Sequence, residues 1–199
     1  MDFPSITTMP ASVFSNFPFN SNPVKKLFVI TGGPGTGKTA ILGALHQQGY
    51  HIVPEAGRSI IRQQVEISGN ALPWGDQQEY ARLMFVQAQS DYELWSRIDQ
   101  PVFLDRAIPD VIGYLQLSGW PVPEVMMQHA RDLRYNGKVF IAPPWKEIYH
   151  NDAERKQSFE EAVKTFDVMM RVYNDLGYTT IELPKTSVEE RAGFIVGDL

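Results

Sequence analysis

Gly32-Gly-Pro-Gly-Thr-Gly-Lys-Thr39, preceded by Leu27-Phe-Val-Ile-Thr31, decides how the rest of this sequence is read. The apolar, β-prone run predicts a buried strand, and a helix is expected from about Lys38 to Gln48, closed by Gly49. The octet fits the Walker A pattern between those two elements, where successive backbone N–H groups and the positive helix end converge on one anion-sized hollow. Glycine is needed there because a Cβ would keep phosphate oxygens off the backbone. Gly33, Pro34, Gly35, Thr36, Gly37, Lys38, Thr39 and Ala40 are the expected nucleotide-binding residues. Lys38 is expected to reach the β- and γ-phosphates of ATP, and the Thr39 hydroxyl to ligate Mg²⁺. A plain Gly-rich turn needs neither Lys38 nor Thr39 after its last glycine.

Working outward, short apolar runs alternate with longer helical patterns, which predicts an α/β fold with a mainly parallel sheet covered on both faces. Further strands are expected at His51–Pro54, Pro101–Asp105, Lys138–Ala142 and Tyr178–Leu183. Helices are expected over Ala56–Ile67, over about Tyr80–Trp95, from near Pro109, and over Val125–Leu133. Ser158 with Glu161 and Ser187 with Glu190 are capping boxes for two more. The Tyr80, Met84, Ala88, Tyr92, Trp95 stripe reads as core, as do Phe159, Val163, Phe166, Met170 and Tyr173. The expected whole is a three-layer P-loop NTPase sandwich with a mainly parallel five-stranded sheet.

From Met1 to Val24 the only charged residue is Asp2, and scattered prolines break any period, so residues 1–24 read as an irregular N-terminal arm and residues 25–199 as the domain. A net charge of −5 argues against a broad nucleic-acid footprint. The absence of cysteine removes disulfides, thiolate zinc sites and cysteine nucleophiles. His46, His51, His129 and His150 lack metal-ligand spacing. With no membrane-length apolar run and no signal-like start, a cytoplasmic location is expected.

No Asn-Lys-x-Asp guanine reader follows the fourth strand, and the third strand ends Leu104-Asp105-Arg106 instead of in the Asp-Glu that activates water in mechanical ATPases. A guanidinium in that position removes the hydrolytic base and adds a phosphate or substrate clamp, which leans from hydrolase toward transferase. Asp105, at the carboxyl end of a strand, is placed to hold Mg²⁺ or the acceptor hydroxyl. Glu55 closes the second strand, expected beside the P-loop strand. It would take a proton from the acceptor or simply favour the following helix by its charge. Arg58 and Arg106 would orient the acceptor. The polar stretch Pro143–Lys156 reads as a lid whose Arg155 or Lys156 swings over the phosphates, or as a solvated loop.

Phe28–Thr39, Val53-Pro-Glu-Ala-Gly-Arg58, Phe103-Leu-Asp-Arg-Ala-Ile-Pro-Asp110 with Gly113-Tyr114, and Ala142-Pro-Pro-Trp145 followed by Asn151–Arg155 and Gln157-Ser-Phe159 resemble the NadR-like AAA-domain family of predicted ATPases. That family is similar to ribosylnicotinamide kinase and, more distantly, to nucleoside and nucleotide kinases. The resemblance implies a P-loop kinase core with ATP and Mg²⁺ as donor. It maps Glu55, Asp105 and Arg106 onto acceptor-side and metal-side roles and Arg155 onto the lid arginine. Two functions follow: a kinase for a small-molecule hydroxyl on a nucleoside-like metabolite, or a nucleotide-controlled binding module or slow ATPase or GTPase.

Overall fold

A computed structural model describes residues 26–149 and 158–199; the N-terminal arm, Arg155 and Lys156 lie outside the described residues. The elements run β1 (Leu27–Gly32), α1 (Lys38–Gln47), β2 (His51–Val53), α2 (Ala56–Glu66), α3 (Gln77–Trp95), β3 (Val102–Asp105), α4 (Ile108–Leu117), α5 (Glu124–Asp132), β4 (Lys138–Ala142), α6 (Phe159–Asp175), β5 (Thr179–Glu182) and α7 (Val188–Gly197). A short 3₁₀ turn, Lys146–Ile148, follows β4. Both predicted capping boxes form at Ser158 and Ser187. A cap not anticipated opens α3, where the Asp76 carboxylate accepts the Glu79 N–H at 3.0 Å and starts the helix a turn before Tyr80.

The five strands form one sheet in the order β2-β3-β1-β4-β5, and all four pairings are parallel. Parallel strands are covered on both faces, so β1 is apolar and buried along its length. Its alternation sorts the core into two layers. Leu27 and Val29 join Val102, Leu104 and Val139 beneath residues of α3, α4, α5 and α6. Phe28 and Ile30 join Phe103 and Phe140 on the other face, against Ile41, Leu42 and Leu45 of α1 and Ala192 and Ile195 of α7. Each such fully buried large side chain contributes about 1.5–3 kcal/mol. The fold is the three-layer α/β sandwich expected of a P-loop kinase.

Two sequence expectations are corrected. β2 pairs with β3, not with β1, so β3 lies between the Glu55 strand and the P-loop strand. An α1 crossover reaches either neighbour equally well, and nothing local in the chain encodes which. In α6 the buried face is Ala162, Thr165, Val168, Met169, Val172 and Tyr173, while Phe159, Val163, Phe166 and Met170 are only half-buried. The reason is closeness. A Cβ on Gly33 would stand 2.6 Å from the Ala162 carbonyl oxygen, and only a small residue lets α6 approach the P-loop that nearly. No helix among the described residues is long and apolar enough to cross a membrane.

Candidate functional site

The P-loop spans the turn from β1 to α1. Gly32, Gly35 and Gly37 take φ values of 130°, 69° and 83°, conformations costly to residues with a Cβ. Space is equally demanding: a Cβ on Gly32 would meet the Ala142 carbonyl oxygen at 2.4 Å, and one on Gly35 would meet the Tyr149 ring at 2.7 Å. The Thr36 hydroxyl donates to the Gly33 carbonyl at 2.9 Å, and Lys38 Nζ donates to Gly33 and Gly32 carbonyls at 2.7 and 3.2 Å. Lys38 is thus folded over its own loop and buried, while Thr39 and Ala40 are exposed at the start of α1.

Asp105 comes to this loop through the ladder, since Ile30 of β1 is register-paired with it. It is 6% exposed, and its Oδ1 has no hydrogen-bond partner. Loss of water around the carboxylate pushes its pKa up to about 6, against the pull of Lys38 and with the added push of Glu55. An orphaned, buried acceptor beside a lysine is what a metal shell or an incoming hydroxyl would satisfy.

Arg106 follows with φ of 73°, a left-handed conformation unusual outside glycine. Its backbone N–H donates to the Ile30 carbonyl at 3.1 Å. Its Nε donates to Glu55 at 3.0 Å and its Nη1 to Asp110 at 3.1 Å. Burial opposes the charge, but Glu55, then Asp110 and Asp105, outweigh that and hold the pKa above the ordinary arginine value. Glu55 is the N-cap of α2 yet its side chain makes no capping bond; it pairs with Arg106 and, at 3.6 Å, with Arg58.

Asp110 was not singled out from sequence, yet it ties the site together. Its carboxylate accepts from the Thr31 and Tyr173 hydroxyls, from Arg106 and from the Ala107 N–H, joining β1, α4 and α6. The signal was the i,i+4 spacing of Arg106 and Asp110. Tyr173 OH, buried and facing that carboxylate, has its pKa pushed up, first by desolvation and then by Asp110.

A cavity of about 240 Å³ opens beside Pro34 of the P-loop. Glu55, Asp105 and Arg106 form one side of it, and Tyr80, Met84 and Tyr114 are among its apolar walls. Residues of the α3 stripe therefore do double duty, packing the core and facing this space. Arg58 stands outside the lining, tied to Glu55. Among the described residues no three histidine or carboxylate side chains gather into a metal cluster. Mg²⁺, which keeps waters and phosphate oxygens around itself, needs only one or two protein oxygens, so the lack of such a cluster does not bear on it.

The sequence pattern of the AAA domain family matches residues 27–191. No curated protein sequence matches the chain. Among solved structures the chain is similar to NadR in complex with NR, with a TM-score of 0.63 and 18% identity over 88% of this chain and 51% of that chain. It is also similar to deoxyadenosine kinase from M. mycoides (TM-score 0.58, 11% identity, 86% of this chain and 97% of that one). Thymidylate kinase from Candida albicans is a third (TM-score 0.59, 14% identity, 87% and 90%). The chain spans about half the length of NadR. At these identities the likeness is one of fold.

Proposed function

This chain belongs to the AAA domain family, and from that premise we propose that it is a kinase that moves the γ-phosphoryl group of ATP to a hydroxyl of a small, nucleoside-like acceptor. The observation that carries the reading is the 240 Å³ cavity that opens off the P-loop and is lined by Asp105, whose buried Oδ1 has no hydrogen-bond partner. A mere nucleotide switch needs no such chamber next to its phosphates. The lining adds chemistry. Its one cation among the described residues, Arg106, is already committed to Glu55 and Asp110, so the cavity suits an acceptor without a phosphate of its own.

In this reading the P-loop backbone and Lys38 hold the triphosphate; the Thr39 hydroxyl would hold Mg²⁺, which when bound would neutralise charge on the transferred group. The acceptor oxygen forms a bond to phosphorus as the bond to the leaving diphosphate breaks, and the acceptor proton passes to Asp105. Asp105 is read as the proton acceptor because it lines the cavity with Oδ1 unpartnered, and burial raises its pKa toward the range in which a base works. Glu55 serves as a positioning residue that fixes Arg106 against the cavity.

The test is an ATP-consumption screen over nucleosides, including nicotinamide riboside, with mass detection of the product. Acceptor-dependent ADP release with a product heavier by one phosphoryl group is expected. ADP release that no acceptor changes would overturn the kinase reading and leave a slow ATPase or binding module.

A further inference from the structure

Arg191 stands on the other side of the sheet from the cavity, in α7, and is only 1% exposed. Its Nη1 donates to the Thr36 carbonyl at 3.0 Å, at the crown of the P-loop. The same nitrogen lies 3.0 Å from where a Cβ on Gly37 would stand. Its Nε is buried without a partner, and no carboxylate among the described residues forms an ion pair with it. Burial alone moves its pKa below the ordinary arginine value.

A guanidinium taken out of water is tolerated when opposite charge and hydrogen bonds compensate it. Arg106 illustrates the rule, with two carboxylates. Arg191 has one carbonyl. Among the described residues nothing balances its charge, and the element it touches is the one built to take an anion. The peptide it holds is informative too. In a trans peptide the N–H points opposite to the C=O, so fixing the Thr36 carbonyl toward α7 turns the Gly37 N–H away from α7.

We propose that Arg191 is a second fixed cation of the phosphate loop: it anchors the Thr36–Gly37 peptide with the Gly37 N–H directed into the hollow, and its counter-charge is the polyphosphate of the bound nucleotide. The inference rests on the nucleotide reading of the P-loop but not on the identity of any acceptor. It makes Arg191 a positioning and binding residue, with a cost to the empty protein that nucleotide relieves.

The experiment uses the full chain and MgADP as the probe, with calorimetric affinity and melting temperature measured with and without it. Arg191→Met is expected to weaken MgADP roughly 10- to 100-fold, the range lost with a hydrogen bond to a charged group. Its melting temperature without nucleotide should be unchanged or higher, because a buried uncompensated cation is gone, while the rise caused by MgADP shrinks. A packing role would give the opposite pair: a lower melting temperature without nucleotide and wild-type affinity, which overturns the proposal. Should Arg191→Met not fold, Arg191→Lys keeps the charge and loses the fork; MgADP weakened severalfold supports the inference, and wild-type affinity overturns it. If the wild-type protein itself does not bind MgADP, the P-loop reading fails together with the inference, and that outcome is visible before any variant is made.

Discussion

Replacing Asp105 with asparagine should make the protein more stable and less active at once. The carboxylate is 6% exposed, and its pKa rises from 3.8 to about 6 on folding, so holding it ionised in the folded state costs roughly 3 kcal/mol. The folded state binds more protons than the unfolded one between pH 3.8 and about 6, and stability therefore falls as pH rises through that window. Below about pH 4 the penalty is absent, and above about pH 6 it is complete. Asp105→Asn carries no charge at any pH. At pH near 7.5 it is expected to melt higher, by at most roughly 6–12 °C at roughly 2–4 °C per kcal/mol for a chain of this size. The gain should vanish near pH 4. Over the same comparison kcat for the acceptor should drop by roughly a hundredfold or more, as for a lost acid-base group. The assay is a pair of melting curves across pH with steady-state kinetics at neutral pH. A variant that melts lower than wild type at pH 7.5, or whose gain persists at pH 4, would refute the desolvated-carboxylate argument.

Lys38→Ala should weaken MgATP binding by roughly 1.5–3 kcal/mol, the worth of a charged hydrogen bond, measurable by calorimetry; unchanged affinity would remove the nucleotide reading. Arg106→Met removes the cation shared by Glu55 and the buried Asp110, leaving Glu55 only its longer contact to Arg58, and denaturant melts should find it less stable by about 3–5 kcal/mol. Gly33→Ala puts a Cβ 2.6 Å from the Ala162 carbonyl oxygen, and because both atoms belong to backbone, an overpacking loss of about 1–3 kcal/mol is expected, seen as a lower melting temperature.

The phosphate loop, the five strands and both capping boxes could be read from the chain because each depends on residues close in sequence. What escaped depends on residues far apart. The insertion of β3 between β1 and β2 is a choice among equivalent crossovers. Asp110 becomes a hub only through the arrival of Thr31 and Tyr173, which lie far from it in the chain. Arg191, 155 residues from its carbonyl partner, leaves no local trace at all. The α3 stripe was correctly apolar, but periodicity alone does not tell a wall of the core from a wall of a cavity.

The pairing of Ile30 with Asp105 has a consequence for how this protein can change over evolutionary time. The phosphate cradle and the carboxylate beside it sit on adjacent hydrogen-bonded strands, so their separation is inherited from the spacing of the sheet. Tyr80, Met84 and Tyr114, which enclose the space an acceptor would fill, come from α3 and α4 in a different layer. On the kinase reading, substitutions on those helices would retune the choice of acceptor while the spacing between the P-loop and Asp105 stays as the ladder sets it. New specificities would then open to such a lineage through its helices, with the geometry of the site handed down unaltered in the strands.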